Sequence, residues 1–200
     1  MIYNRLYQNN KNVWGDSVNK LIILVFKNLK PGSTFLDLGC GQGKDALFMA
    51  RNNFQVTAVD ASEAAISQLK STAQAEGLKN LKAIRSDVKD FKIENNKYEI
   101  IFGNNLLQFL DKDSALPIVN DIKEKVSPDG YIILASFTTD DPSYSKQKEN
   151  KAYFKPQELL KLFAGFKIIH YFENKVMDNG HPGSPESHQH GVVRIIAQKQ

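Results

Sequence analysis

A single cysteine, Cys40, stands among the 200 residues, so no internal disulfide can form and a reducing compartment is expected. Long apolar runs are missing too. The longest aliphatic or aromatic stretch, residues 21–26 (LIILVF), falls far short of the ~20 residues that span a bilayer. No apolar stretch follows the charges of the first fifteen residues, which argues against a secretory signal. A large excess of charge of one sign is missing as well. The formal net charge is +4, with Lys and Arg scattered rather than clustered, which speaks against nucleic-acid binding. No internal repeat or low-complexity tract is present. These absences leave a soluble cytoplasmic protein of one domain over residues 1–200, long enough to bury a real core.

What is present is a regular alternation of elements. Residues 16–29 read as an amphipathic helix within an N-terminal helical cap over 1–30. Strand 35–38, helix 44–52 and strand 54–59 follow, the last closed by Asp60. Ser62 suits an N-cap, Ile66, Leu69 and Ala73 mark one helical face, and Gly77 suits the C′ position. Strands at 81–85 and 98–102 precede a helix at 114–126, whose apolar face runs through Ala115, Ile118, Val119, Ile122 and Val126. A turn at Pro128, Asp129 and Gly130 leads into strand 131–137. Residues 138–155 read as irregular, 156–163 as a helix, 166–173 as a strand, 174–191 as a loop, and 192–198 as the last strand. The two loops are expected over a cleft.

Five short buried strands alternating with helices imply an α/β fold, a mostly parallel sheet covered on both faces. The last two strands, joined by a loop, add an antiparallel edge and make seven. Ligands of such sheets lie outside the carboxyl ends of the strands. That places residues 37–43, Asp60, Ser86, Asp87, residues 103–105 and the segment from 138 around one cleft.

The glycine loop within LDLGCGQGKDALFMA can be tested by counting. A phosphate loop needs Gly, four residues, then Gly-Lys-Ser/Thr. Gly43-Lys44 fits, but the first glycine position falls on Leu38 and Asp45 replaces the hydroxyl. A dinucleotide turn needs Gly-x-Gly-x-x-Gly, and its third glycine falls on Lys44, where a long side chain crowds the packing of helix on strand. An acid followed by Gly-x-Gly-x-Gly, from Asp37 to Gly43, remains. It resembles the first motif of the class I S-adenosylmethionine (SAM)-dependent methyltransferases, whose fold is Rossmann-like.

The resemblance implies SAM as cofactor and S-adenosylhomocysteine as product. Asp37 would meet the ammonium group, while Gly39, Cys40 and Gly41 let the backbone approach closely. Asp60, about twenty residues on at a strand end as in dinucleotide folds, would accept the ribose hydroxyls, with Ala61 beside it. Asp87 and Val88 would face the adenine, and Asn104 both cofactor and acceptor. Asp87 also suits a plain turn and Asn104 a cap. Cys40 has no base placed beside it and reads as a small residue in a crowded loop rather than a nucleophile.

The tail of the chain resembles the tellurite-resistance and thiopurine methyltransferase group, in which His and Arg near the last strand go with an anionic acceptor. His188, His190 and Arg194 are the matching residues here and the expected catalytic ones, with histidine titrating near neutral pH. The expected partner is a small molecule, a soft thiol or chalcogen oxyanion, with no nucleic acid and no membrane; homodimerisation stays open. Tyr3, Tyr7 and Trp14 either close over the cleft or anchor the first helix. His181, His188 and His190 also allow a zinc-like site. With no cysteine nearby and Glu186 the only local acid, no metal is expected. A non-catalytic SAM sensor or scaffold is the other class, and an NAD-dependent oxidoreductase is disfavoured by Lys44.

Overall fold

The apolar runs of the sequence pair into one sheet of seven strands. In the computed structural model, residues 2–146, 151–181 and 184–200 are described. Parts of the expected loops, 147–150 and 182–183, therefore lie outside the described residues. The elements are α1 (Ile2–Asn9), α2 (Lys20–Phe26), β1 (Thr34–Leu38), α3 (Lys44–Arg51), β2 (Gln55–Asp60), α4 (Glu63–Ala75) and β3 (Leu81–Arg85). They continue with β4 (Ile100–Asn104), α5 (Lys112–Lys125), β5 (Tyr131–Phe137), α6 (Glu158–Leu162), β6 (Lys167–Asp178) and β7 (His188–Gln198).

The strand order is β3-β2-β1-β4-β5-β7-β6. The first five strands are parallel and β7 is antiparallel to both β5 and β6, as expected from the sequence. Alternation along each strand divides the core into two layers. Phe35, Ile100, Phe102, Ile133 and Ile196 pack under Ile22 of α2, Met49 of α3 and Leu69 of α4. On the other face Leu36, Ile101, Ile132, Leu134 and Ile195 pack under Val119 and Ile122 of α5 and Leu159 of α6. Each such side chain, fully buried, contributes about 1.5–3 kcal/mol. Among the described residues no helix is long and apolar enough to cross a membrane.

Two boundaries differ from expectation by several residues, one for a local reason and one through strand pairing. The helix expected from residue 16 starts at Lys20, because the Asn19 side chain caps it by accepting the Leu21 N–H at 2.9 Å. The Asn19 backbone N–H is itself taken by the Asp45 carboxylate at 2.7 Å, which turns the preceding chain away. The second difference concerns the expected loop at 174–191. Much of it is strand: β6 runs on to Asp178 and β7 begins at His188, in continuous antiparallel register from Asn174↔Val192 to Asp178↔His188. His188 and His190 therefore sit on a ribbon that overshoots the end of β5 at Phe137.

Candidate functional site at the carboxyl end of the sheet

The turn after β1 is built for close approach. Gly39 and Cys40 both donate their N–H to the Val59 carbonyl, at 2.8 and 3.0 Å, which folds the turn over β2. Gly43 has φ 79° at the head of α3, and a Cβ there would lie 2.5 Å from Leu69 Cδ1. At Gly41 a Cβ would lie 2.9 Å from the Tyr7 hydroxyl. The Gly41 N–H donates to Asp60 Oδ2 and the Ser62 N–H to Asp60 Oδ1, both at 2.8 Å. Asp60 thus locks the first strand–helix turn to the second.

Asp37 ends up only 2% exposed. Burial, then the nearby Asp45 and Asp60 carboxylates, push its carboxyl well above the usual range, and only Lys44 opposes them. Asp60 is raised as well, chiefly by burial, against its two backbone hydrogen bonds. Burial also pushes the Cys40 thiol well up, with Asp37 and Asp60 adding to it, which leaves a protonated thiol rather than a nucleophile. The Gly-Lys pair has a different task from phosphate binding. Lys44 Nζ donates to the Ser17 carbonyl at 2.8 Å, and Asp45 takes the Asn19 N–H, so both tie the N-terminal segment to the loop.

That segment covers the loop. Asn4 Oδ1 accepts from Ser62 Oγ and the Ala64 N–H, at 2.9 and 3.2 Å, at the N-terminus of α4. Gln42 accepts the Val13 N–H at 2.8 Å and donates to the Asn10 carbonyl at 2.8 Å. Trp14 Nε1 donates to the Tyr7 hydroxyl at 3.0 Å. Burial raises the Tyr7 phenol to about 12. Tyr3 lies edge-on to Phe109, with centroids 5.2 Å apart, and 6.3 Å from the Trp14 ring. Tyr7 thus anchors the segment, and Tyr3, Trp14 and Phe109 form one aromatic group beside it.

The remaining expected residues are distributed as follows. Gly39 faces Leu106, two residues beyond Asn104 at the end of β4. The register places Asn104, Ala135 and Arg194 in one row across β4, β5 and β7. Arg194 reaches 5.4 Å from the Phe172 ring, and burial lowers its pKa. Ala61 opens on a groove with Asn4, Arg5 and Arg85, and Val88 on another with Leu38, Phe91 and Pro117. Asp87 accepts the Lys89 N–H at 2.9 Å, the turn geometry its sequence also allowed.

The ribbon adds a polar chain. His188 Nδ1 lies 2.8 Å from the Glu186 carbonyl oxygen, and the two Nε2 atoms of His188 and His190 are 2.9 Å apart. His190 Nδ1 lies 2.8 Å from Oδ2 of Asp141, which is 3% exposed. The His190 ring stacks on Phe137 at 4.5 Å, and the His181 ring is 5.8 Å from Trp14. Asp141 and Asp178 were missed by sequence reasoning. The only local signals were an Asp before Pro142 and an Asp before Asn179-Gly180, both ordinary turn sequences.

The family described as "Tellurite resistance protein TehB" matches residues 5–182. The chain belongs to the TehB family. The probable S-adenosyl-L-methionine-dependent methyltransferase TehB of Haemophilus influenzae is 31% identical over 153 residues, covering 72% of this chain and 51% of that protein. Hemagglutinin 1 of Eikenella corrodens is 32% identical over 140 residues, 69% of this chain and 45% of that protein. The chain thus spans about half the length of the curated relatives it matches. The crystal structure of TehB from Haemophilus influenzae superposes with a TM-score of 0.81 at 22% identity, covering 99% of this chain and 67% of that one. The family therefore carries the Rossmann-like fold expected from the glycine loop.

Proposed function

We propose that the protein is a SAM-dependent methyltransferase whose acceptor is a small soft nucleophile, a thiol or a chalcogen oxyanion. The observation that carries the reading is the pairing of Asp37 and Asp60 across the glycine turn. Asp37 is buried beside two other carboxylates, so a cationic ligand in the cleft is what favours its ionised form. The ammonium and sulfonium of SAM suit it. Asp60 would accept the ribose hydroxyls, Gly39, Cys40 and Gly41 the methionine part along the backbone, and Ala61, Asp87 and Val88 the adenine. Asn104 would face both ligands.

SAM supplies a methyl group on a sulfonium, already an excellent leaving group, so catalysis rests on alignment. An acceptor aligned by these residues would form its bond to the methyl carbon as the sulfur–methyl bond breaks, with S-adenosylhomocysteine as the leaving group. Trp14, Tyr3 and Phe109 would exclude water from that path. His188 and His190 would take a proton from an acceptor that carries one, and Arg194, permanently charged, would orient an anion. The same chemistry needs neither nucleic acid nor membrane, and a chain with one thiol suits the cytoplasm.

The test couples binding to turnover. SAM should raise Tm while NAD and ATP do not, and Asp60→Ala should lose most of the SAM shift. S-adenosylhomocysteine release should appear with at least one of a panel of thiols, selenite and tellurite, and fall at least tenfold in a His188→Ala/His190→Ala variant. SAM binding without release from any acceptor would favour a sensor and refute the enzyme reading; unchanged SAM affinity in Asp60→Ala would sink the ribose assignment.

A further inference from the structure

We infer that Asp178, His181, His188 and His190 form a binding site for one divalent transition-metal ion of the zinc class, at the end of the β6–β7 ribbon above the cleft. One ligand atom from each residue lies within 4.8 Å of every other. Tetrahedral zinc with bonds of about 2.0–2.2 Å to nitrogen and oxygen sets its ligands about 3.3–3.6 Å apart, a separation that small side-chain rotations reach from here. The donor set of three imidazoles and one carboxylate suits zinc and its first-row neighbours, not calcium or magnesium, which take oxygen.

The hydrogen bonds around the cluster provide an independent argument. A carbonyl oxygen only accepts, so His188 must carry its proton on Nδ1 to bond Glu186. Asp141 accepts from the Ser143 N–H at 2.8 Å on Oδ1 and from the Gly191 N–H at 3.1 Å on Oδ2, so both of its oxygens serve as acceptors. His190 must therefore also donate from Nδ1. With the outer nitrogens so engaged, the two Nε2 atoms are left facing each other at 2.9 Å. Such a pair holds either a shared proton or, after a small separation of the rings, a metal ion. A carboxylate and a backbone carbonyl on the outer nitrogens are the outer-shell partners that metal-binding histidines use. Asp178 is oriented in the same way, since its Oδ1 accepts the Gly180 N–H at 2.8 Å. Register brings Asp178 opposite His188, which supplies the acid that the local sequence lacked.

The position gives the ion a task that rests on the methyltransferase reading: a thiol that displaced one imidazole would pass its proton to that freed ring and bind as the thiolate, so the metal and the histidine base would act together. Binding itself does not depend on that reading. Protein stripped with a chelator should take up one zinc ion per chain, and cobalt(II) should give the visible absorption of a tetrahedral site. His181→Ala and Asp178→Asn, at the ribbon's end, should each weaken zinc at least tenfold, and Asp141→Asn by about 10–100-fold. His170→Ala, paired with Ile196 in the sheet, should leave zinc binding unchanged. Absence of zinc uptake by the wild type, or equal uptake by the His181→Ala and Asp178→Asn variants, overturns the site. The SAM-induced rise in Tm on the same samples reads the cofactor assignment separately, so a preserved SAM shift without zinc refutes the metal alone.

Discussion

Asp141→Asn tests whether a buried carboxylate holds His190 in its working form. The carboxylate is 3% exposed and accepts from the Ser143 N–H and hydroxyl on Oδ1, and from His190 Nδ1 and the Gly191 N–H on Oδ2. An amide keeps only one oxygen. With that oxygen toward Ser143, its NH₂ points at two donors. Each donor left unpaired costs about 1–3 kcal/mol. His190 can escape by moving its proton to Nε2 and accepting from the amide; Gly191 cannot. The net loss should be about 1–3 kcal/mol, a fall in Tm of roughly 3–9 °C for a chain of this size. Because His190 Nε2 then carries a proton, zinc affinity and turnover should fall with it. Thermal melts and zinc titration on the same preparation decide the matter. A Tm within about 2 °C of wild type, with unchanged zinc affinity, refutes the role given to Asp141.

Three further outcomes follow from the same geometry. The Asp37 carboxyl sits well above its ordinary 3.8 in the folded state, so the fold binds that proton more tightly than the unfolded chain. Its contribution is full below that pH and lost as pH rises toward the folded value; Asp37→Asn should therefore raise Tm at pH 7 while abolishing the SAM shift, and a lower Tm contradicts this. Tyr7→Phe removes the acceptor of Trp14 Nε1, costing about 0.5–1.5 kcal/mol, and should shift the emission of the chain's only tryptophan; an unaltered spectrum would show that Tyr7 does not hold the Trp14 ring. The raised Cys40 thiol should react with a thiol reagent at pH 8 at least tenfold more slowly in the folded chain than in urea, and equal rates would remove the burial argument.

The parts of the molecule legible in its sequence are those decided by near neighbours. Strands 81–85 and 131–137 have the bounds their composition suggested. Ser62 does cap α4, taking the Ala65 N–H at 3.2 Å, and Gly77 has φ 67° beyond its end. Even the long-range pairing of Asp60 with the glycine turn was within reach, because strand–turn–helix order alone brings the two turns side by side. What stayed hidden depends on partners whose register no local pattern specifies. Asp141 and His190 are 49 residues apart in the chain, and they meet only because β7 is antiparallel to β5 and overshoots it. Asp178 comes level with His188 only because the ribbon continues past residue 174, a stretch whose Asn, Asp and Gly read as loop. Asp45 shows the same limit from the other side. Its position ruled out a phosphate loop by counting, yet its actual work, taking the Asn19 N–H from 26 residues upstream, is visible only once α2 is docked. On the proposed function, cofactor recognition would lie in consecutive turns, while acceptor chemistry would be assembled across a sheet edge. The ribbon, where Asp178, His181, His188 and His190 cluster with Asp141 beside them, is therefore where variants would test the identity of the acceptor.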